Sequence, residues 1–208
     1  RNSVIEHSNF RNTGDDSVAS WSYSIDGPLP CENNIFRFNT VETTWRANCF
    51  ALYGGKNNRI EDNVCSDTNN YPGINVASNF TALPFVGTTV IQRNTLLRAG
   101  GPHYGQEFGA LRVFADQSPI SGIQIRDIQI DSPTYSGIHF GGAQMVSAIS
   151  LDNIQVNNYG TLGIWIATEA RGNVSANGIT VTGAPNKGLQ NDARANFVLE
   201  KGAGNVGW

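Results

Sequence analysis

The sequence predicts an all-β fold, a parallel β-helix of about six to seven coils. Short apolar strands recur along the chain, turn residues such as Gly, Asn, Asp and Pro separate them, and no segment has a convincing helical period. The composition agrees, because 23 of the 208 residues are Gly and only 15% are charged. A β-sandwich or a propeller would instead show hairpin turns between antiparallel strands.

Two kinds of strand make up each predicted coil. The first is a short run with inward apolar residues, at 35–38, 59–62, 90–93, 123–126 and 149–152. The second follows a few residues later and alternates strictly, at 18–21, 50–53, 74–77, 111–114, 138–141 and 164–167. Its starts are separated by between 24 residues (50 to 74) and 37 residues (74 to 111), about one coil with insertions at the turns.

Stacking the second strands would send alternate residues to the core and to the surface. The inward column is Val18, Phe50, Ile74, Leu111, Ile138 and Ile164. The next residues form an outward column of Ala19, Ala51, Asn75, Arg112, His139 and Trp165. Two residues further on lies a second outward column of Trp21, Tyr53, Ala77, Phe114, Gly141 and Ala167.

The remaining pattern predicts one domain over 1–208. Insertions at 24–34, 77–88 and 99–108 predict loops at one rim, and the Gly-rich tail 183–208 predicts a cap or an irregular last coil. Asparagine recurs near the ends of the first strands, where stacked side chains can hydrogen-bond between coils. These residues are Asn39, Asn63, Asn94 and Asn153.

Charge and cysteine content restrict the partners. The net charge is −3 with no basic run, which argues against nucleic acid, and no apolar stretch approaches the ~20 residues that span a membrane. Cys31, Cys49 and Cys65 match no metal-ligand spacing, so we expect neither metal nor cofactor. They leave open a Cys31–Cys49 or a Cys49–Cys65 disulfide, or buried free thiols. Two glycosylation sequons, at 79–81 and 173–175, weakly favour a secreted protein, which we expect to be monomeric.

The strongest candidate for chemistry is the pair Asp15 and Asp16, on a Gly-led turn immediately before a strand. Adjacent carboxylates repel each other, so both persist only in different environments. Two acids with separated pKa values are what an acid–base hydrolase uses. Gly-Asp-Asp is also a common turn sequence, so the motif alone is not specific. The groove predicted around it favours a functional role for the two aspartates.

Aromatic rings and hydrogen-bonding groups would share the face of the acidic pair. This combination suits sugar rings, and a groove across several coils suits a polymer. The predicted sugar-binding residues are Trp21, Arg46, Tyr53, Tyr71, Asn75, Arg112, His139 and Trp165. In the alternative reading, the aromatic rings only cover the surface, Arg112 pairs with Glu107 or Asp116, and His139 is incidental.

Several segments resemble one known family. They are 11–16, 50–55, 58–63, 67–68, 87–91, 94–98 and 108–111. Together they resemble glycoside hydrolase family 87, the α-1,3-glucanases and mycodextranases. The resemblance implies a right-handed β-helix that hydrolyses α-1,3-linked glucan with inversion, using three aspartates. By the same resemblance Asp15 is the general acid and Asp16 is part of the base that activates water.

The family's third aspartate lies about one coil before the adjacent pair. The chain begins at Arg1 and enters a strand pattern directly, so we expect a processed or excised piece whose first coils lie outside this sequence.

Related β-helix families, the polygalacturonases and dextranases, also carry paired aspartates. Polygalacturonases add Gly-His-Gly and Arg-Ile-Lys; here no Gly-His-Gly occurs, and Arg59-Ile60 is followed by Glu61. A neutral α-glucan is therefore the better predicted substrate. The alternative from another class is a non-catalytic β-helix, a carbohydrate-binding or adhesin-like module. A lyase would want a Ca²⁺ site and a basic catalyst, and neither signature is present.

Overall fold

The computed structural model describes residues 1–23, 27, 30–183 and 187–208, and these residues form an all-β structure dominated by parallel strands. In these ranges the single helical element is the short 3₁₀ turn Arg194–Asn196. Parts of two predicted segments, residues 24–26 and 28–29 of the first loop and 184–186 of the tail, lie outside the described residues. Within the described ranges, no helix has the length and hydropathy that a bilayer span needs.

A seven-stranded parallel sheet takes one strand from each repeat of the chain. Its strands are Val18–Trp21, Phe50–Tyr53, Ile74–Ala77, Leu111–Phe114, Ile138–Gly141, Ile164–Ile166 and Leu189–Asn191. The register aligns the six predicted inward residues from Val18 to Ile164, and each is at most 2% exposed. The predicted stacking and inward column are therefore confirmed. The seventh strand comes from the tail and pairs with Ile164–Ile166.

A thirteen-stranded sheet is the second large sheet of the structure. Its strands are Val4–Glu6, Asn9–Arg11, Ile35–Arg37, Thr40–Glu42, Arg59–Glu61, Val64–Ser66, Thr89–Gln92, Thr95–Leu97, Ile120–Asp131, Met145–Asn157, Arg171–Asn177, Thr180–Thr182 and Phe197–Lys201. They form two ladders, a first ladder from Val4–Glu6 to Phe197–Lys201 and a second ladder from Asn9–Arg11 to Thr180–Thr182. The sequence pattern predicts five of the eight strands of the first ladder, from Ile35–Arg37 to Met145–Asn157, and it does not predict the second ladder as separate strands.

The second ladder escapes the sequence pattern because its strands follow those of the first ladder after only two residues, so the two strands look like one segment in the sequence. Thr40–Glu42 follows Ile35–Arg37 in this way, and Val64–Ser66 follows Arg59–Glu61. In two repeats the ladder also merges with the first, in the long strands Ile120–Asp131 and Met145–Asn157.

The chain alternates regularly between the two sheets. Between consecutive strands of the seven-stranded sheet it passes through both ladders of the other sheet, before the next repeat begins. The inward residues of all repeats pack into one continuous apolar cluster between the sheets. The acidic turn and its neighbours lie outside this cluster, at the edge where each repeat enters the seven-stranded sheet.

Three of the four predicted asparagines form a buried ladder. Asn39 Nδ2 donates to Asn63 Oδ1 (3.1 Å), and Asn63 Nδ2 donates to Asn94 Oδ1 (3.0 Å). The prediction for Asn153 is wrong. In the two repeats after Asn94, the aligned residues are Ile128 and then Ile154, so the ladder position becomes apolar. Asn153 lies one residue before Ile154, on the surface. Asn153 occupies a left-handed turn position, with a φ of +52°.

The cysteines resolve into one disulfide. Cys49 and Cys65 are bonded, with their Cα atoms 6.0 Å apart, whereas Cys31 is a free thiol that lies 3.2 Å from the Trp21 carbonyl. Two insertions contain short strands. Phe85–Val86 pairs with Gly55–Lys56, and Pro102–His103 forms an antiparallel hairpin with Gln106–Glu107.

Candidate functional site

The acidic pair lies on the turn that leads into Val18–Trp21. Oδ1 of Asp15 accepts the backbone N–H of Asp16 at 2.9 Å, and the hydroxyl groups of Thr13 and Ser17 lie 2.6 Å apart across the turn. Asp15 is exposed and Asp16 is partly buried. The two adjacent carboxyl groups therefore occupy different environments.

Asp16 is held by the next repeat of the chain. Its Oδ1 accepts the backbone N–H of Asn48 (3.0 Å) and the Asn48 side-chain amide (2.7 Å), and its Oδ2 accepts the Tyr53 hydroxyl (2.9 Å). Burial raises the pKa of Asp16 and the charge of Asp15 adds to the rise, whereas the hydrogen bonds from Asn48 and Tyr53 oppose it. Burial and the charge of Asp16 raise the pKa of the Tyr53 phenol above its ordinary value.

Trp45 lies over the acidic turn and is missed by the sequence analysis. Its backbone N–H donates to Thr13 O at 3.1 Å, and its side chain is 53% exposed. The signal that could have found it is positional, because Trp45 immediately precedes Arg46 on the turn one repeat after the acidic pair. Arg46 itself is exposed.

Tyr71 packs in a cluster of aromatic rings outside the predicted set. Its ring stacks on Phe108 (4.9 Å between centroids, 12° between planes) and lies 4.7 Å from the His103 ring. Burial raises the pKa of Tyr71, the neighbouring Tyr104 and the charge of Asp16 add to the rise, and the charges of Arg112 and Arg46 oppose it.

Arg112 is buried, contrary to the expectation of an open outward column. Its guanidinium lies between two rings, 4.7 Å from the centroid of Phe108 and 3.8 Å from that of Phe114. It forms no ion pair with Glu107 or Asp116, and none with any other carboxylate of the described residues. Burial lowers the pKa of Arg112 to about 10.

His139 and Asn75 are buried beside Arg112 on adjacent strands, each about 4% exposed. The His139 ring stacks on Trp165 at 4.3 Å, and burial, with the charge of Arg112, holds the pKa of His139 well below its usual value. The Nδ1 atom of His139 has no hydrogen-bond partner among the described residues. Aromatic neighbours cover the middle of the outward column, which corrects the expectation of a fully exposed face.

The two ends of the predicted site remain more open. Trp21 is 46% exposed and donates from Nε1 to Phe80 O at 3.1 Å. At the other end, Trp165 is partly exposed and donates from Nε1 to Asp192 Oδ2 at 2.9 Å. A cavity of about 500 Å³ lies beyond Trp165, lined by Thr168 and residues 192–196. It is separate from the acidic pair.

The structure thus brings Asp15, Asp16 and Tyr53 together. Arg46 lies on the turn of the next repeat, Tyr71 packs on Phe108 and His103, and Trp21 and Trp165 mark opposite ends. Within the part of the chain that the structure describes, no group of three or more His, Cys, Asp or Glu side chains is arranged to hold a metal ion. The chemistry available at this site is that of carboxyl groups and aromatic surfaces.

Two carboxyl groups in different environments are what glycoside hydrolases use for catalysis, and aromatic rings beside them suit sugar binding. The chain belongs to one such family. The family described as "Alpha-1,3-glucanase catalytic domain D2" matches residues 1–198. No curated protein sequence matches the chain significantly.

Solved structures of the same kind are similar over nearly the whole chain. A catalytic domain of a family 87 α-1,3-glucanase, an aspartate-to-alanine variant in complex with tetrasaccharides, is 28% identical with a TM-score of 0.91 over 99% of this chain and 41% of the other. A complex of such a domain with nigerose is 28% identical, with a TM-score of 0.89 and the same coverage.

The catalytic unit of the thermostable α-1,3-glucanase from Streptomyces thermodiastaticus strain HF3-3 is 25% identical. Its TM-score is 0.84, over 99% of this chain and 44% of the other. The chain therefore spans less than half the length of the solved structures it matches.

Proposed function

We propose that this chain is part of the catalytic domain of an inverting α-1,3-glucanase. The observation that carries the proposal is the acidic pair, because Asp15 and Asp16 are adjacent in sequence yet differ in burial and hydrogen bonding. Inverting hydrolysis needs two carboxyl groups in different protonation states on opposite faces of the sugar. The acidic pair also lies beside exposed aromatic rings that suit sugar binding.

We propose further that the repeats wind as a right-handed parallel β-helix, with the tail as the last coil. The regular passage of the chain between two parallel sheets supports this winding. Crossover connections between parallel strands are right-handed in about 98% of cases. In this arrangement the acidic turn lies where the chain enters the seven-stranded sheet, beneath the exposed ring of Trp45.

The proposed substrate is a neutral α-glucan with α-1,3 linkages, such as mutan, nigeran or cell-wall α-1,3-glucan, or a mixed α-1,3/1,4-glucan. Solved structures of catalytic domains that are 28% identical to this chain contain nigerose or tetrasaccharides. These complexes support an α-1,3-linked glucose polymer as the substrate. The exposed rings of Trp45, over the acidic turn, and of Trp21, at the end of the strand that follows this turn, supply flat apolar faces. Arg46 supplies donors for hydroxyl groups. A dextranase-type or polygalacturonase-type activity is the alternative among β-helix glycanases.

In the proposed reaction, the carboxyl group of Asp15 gives its proton to the glycosidic oxygen as the C–O bond breaks. The carboxylate of Asp16, together with an aspartate from an upstream coil, takes a proton from a water molecule that attacks the anomeric carbon from the opposite face. One glycosidic bond and one water are consumed. The product is a new reducing end with inverted anomeric configuration.

The proposed protein is secreted and monomeric, acts without a cofactor or metal, and binds neither nucleic acid nor membrane. The disulfide between Cys49 and Cys65 supports an oxidising compartment, where such bonds persist. The slight negative charge is compatible with a neutral polymer as partner.

The experiment compares Asp15→Asn and Asp16→Asn in the catalytic unit that contains this chain, with α-1,3-glucan as substrate. Each variant should lose at least ~100-fold in kcat, because one arm of the acid–base catalysis is removed. Asp127→Asn is the matched control. Asp127 is an exposed aspartate on the thirteen-stranded sheet, and its Oδ1 accepts a hydrogen bond from the Asn153 amide. Proton NMR of the first product formed reports its anomeric configuration.

Near-wild-type turnover in either variant would reject the assigned roles, and a retained anomeric configuration would reject inversion. Binding of α-1,3-glucan without release of any reducing ends would instead establish a non-catalytic carbohydrate-binding or adhesin-like module.

A further inference from the structure

Asp16, Asn48 and Tyr53 form a closed triangle of hydrogen bonds across two neighbouring repeats. The Asn48 side-chain amide donates to Asp16 Oδ1 (2.7 Å) and also to the Tyr53 hydroxyl oxygen (3.3 Å). Because that oxygen accepts from Asn48, the phenolic proton is directed to Asp16 Oδ2, which lies 2.9 Å away. The orientation of all three side chains is therefore mutually fixed.

This triangle leaves Asp16 with one unused acceptor position. An ionised carboxylate has about four lone-pair positions. Oδ1 receives two donors from Asn48 and Oδ2 receives one from Tyr53, so the remaining position is on Oδ2. Donors that point at both oxygens stabilise the ionised form.

Tyr53 is also badly placed for the sugar-stacking role that the sequence suggests. Its side chain is only 7% exposed, and the Phe80 ring packs edge-on against it at 5.4 Å with an interplanar angle of 74°. The ring packs with Ala51 and Ala77 in a small apolar cluster. The accessible function of Tyr53 is therefore its hydroxyl group rather than its ring face.

We infer that Tyr53 and Asn48 are positioning residues, which keep Asp16 ionised and leave one of its acceptor positions free for the attacking water. The inference rests on the proposed function, because it gives these two residues a role in the same reaction. It predicts that the phenolic hydroxyl acts on the ionisation of Asp16 and little on substrate binding.

The groups that face Asp16 act in opposite directions. Asp15, on the same turn, disfavours a second negative charge, as does the burial of Asp16 itself. Asn48 and Tyr53, from the next repeat, favour the charge. The charges of Asp16, Arg46 and Arg112 affect the pKa of Tyr71, which comes from the repeat after that. Tyr71 makes no hydrogen bond to Asp16 in the described part of the structure. Removing the Tyr53 hydroxyl therefore leaves the opposing influences in place.

The test is Tyr53→Phe, which keeps the ring packing and removes the hydroxyl. Carbon-13 NMR of the Asp16 carboxyl in this chain should show its pKa rising by about one unit, as expected for the loss of one hydrogen bond to a charged group. In the catalytic unit, the acid limb of the kcat–pH profile should move to higher pH by a similar amount, because Asp16 must be ionised to act as base. KM at the plateau should change less than twofold.

Tyr135→Phe is the matched control, since Tyr135 precedes Ile138–Gly141 and makes no side-chain contact with Asp16 in the described structure. It should leave both titrations unchanged. Asn48→Ala provides a second variant with an independent effect, because it removes the amide donor but keeps the backbone N–H. It should move the acid limb in the same direction.

The two proposals fail separately. Full activity of Asp16→Asn would overturn the proposed function. An inactive Asp16→Asn, combined with unshifted titrations in folded Tyr53→Phe and Asn48→Ala, would overturn only the positioning role. Thermal unfolding of each variant establishes that it is folded at the temperature of the assay.

Discussion

The indole of Trp45 packs so closely on Gly14 that a β-carbon at Gly14 would lie 2.6 Å from Cζ2 of the ring. Gly14 immediately precedes Asp15, so this contact sets how the acidic turn sits beneath an exposed aromatic ring. The backbone of Gly14 is not in the left-handed region, so the space available, rather than its φ angle, requires glycine there.

Gly14→Ala should therefore destabilise the fold by about 1–3 kcal/mol, the usual cost of forcing a group into a filled site. In a Trp45→Ala background the same substitution should cost less than ~0.5 kcal/mol, because the obstructing ring is gone. Denaturant unfolding of the four proteins in this double-mutant cycle measures the coupling. An equal cost in both backgrounds would show that the Trp45 contact is not what requires glycine.

The raised pKa of Asp16 predicts a pH-dependent stability. A carboxyl group whose pKa is higher in the folded state holds its proton there more tightly than in the unfolded state. Stability is then lost as pH rises from the ordinary aspartate pKa through the raised one. Asp16→Asn removes this dependence, so its Tm relative to that of the wild type should increase as pH rises through that window. Calorimetric scans at several pH values measure the difference, and a constant offset would contradict the prediction.

Six of the seven strands of the seven-stranded sheet could be predicted from the sequence because they repeat one unambiguous pattern, whereas Leu189–Asn191 lies in the less regular tail. Each begins with an apolar residue that alternates inward, so aligning Val18 with Phe50 and Ile74 already fixes the register. The alternation of inward and outward residues does not reveal which side chains cover the outward face of the sheet. Phe108 lies outside the strand pattern, so its stacking over Arg112 could not be read from the periodicity.

At the candidate site, the sequence identifies the acids but not their supports. Asp15 and Asp16 are conspicuous as adjacent like charges, whereas Asn48 is an ordinary turn residue one repeat away. Its two hydrogen bonds to Asp16 depend on the exact offset between repeats. The same sensitivity explains Asn153, where a displacement of one residue moves a side chain from the buried ladder to the surface.

The asparagine ladder should be a major source of stability in the first repeats. Asn63 accepts two hydrogen bonds from Asn39 on Oδ1, and its amide donates to Phe36 O and Asn94 Oδ1. Asn63→Ala leaves these buried partners unsatisfied, and each such group costs about 1–3 kcal/mol. We expect a loss of at least ~3 kcal/mol in the free energy of unfolding, measured by urea denaturation.

The matched control is Asn153→Gly, which removes an exposed asparagine and suits its left-handed backbone; the aligned position in the next repeat is already Gly178. It should cost less than ~1 kcal/mol. Similar losses for the two variants would mean that the buried ladder contributes no more than a surface hydrogen bond.

The disulfide between Cys49 and Cys65 joins the residue before a strand of one sheet to a strand of the other, with a sequence separation of 16. Closing a loop of this size lowers the entropy of the unfolded chain by an amount worth about 3 kcal/mol. Cys49→Ala/Cys65→Ala should lose a stability of that order in urea denaturation, whereas Cys31→Ala should lose less than ~1 kcal/mol because Cys31 is a free thiol.

The disulfide should also affect Asp16. Since Cys49 follows Asn48 directly, removing the disulfide should weaken the hydrogen bonds that Asn48 makes to Asp16. The double variant should therefore shift the acid limb of the activity profile in the direction of Asn48→Ala. A double variant with the stability of the wild type and an unchanged acid limb would show that the core packing alone fixes Asn48.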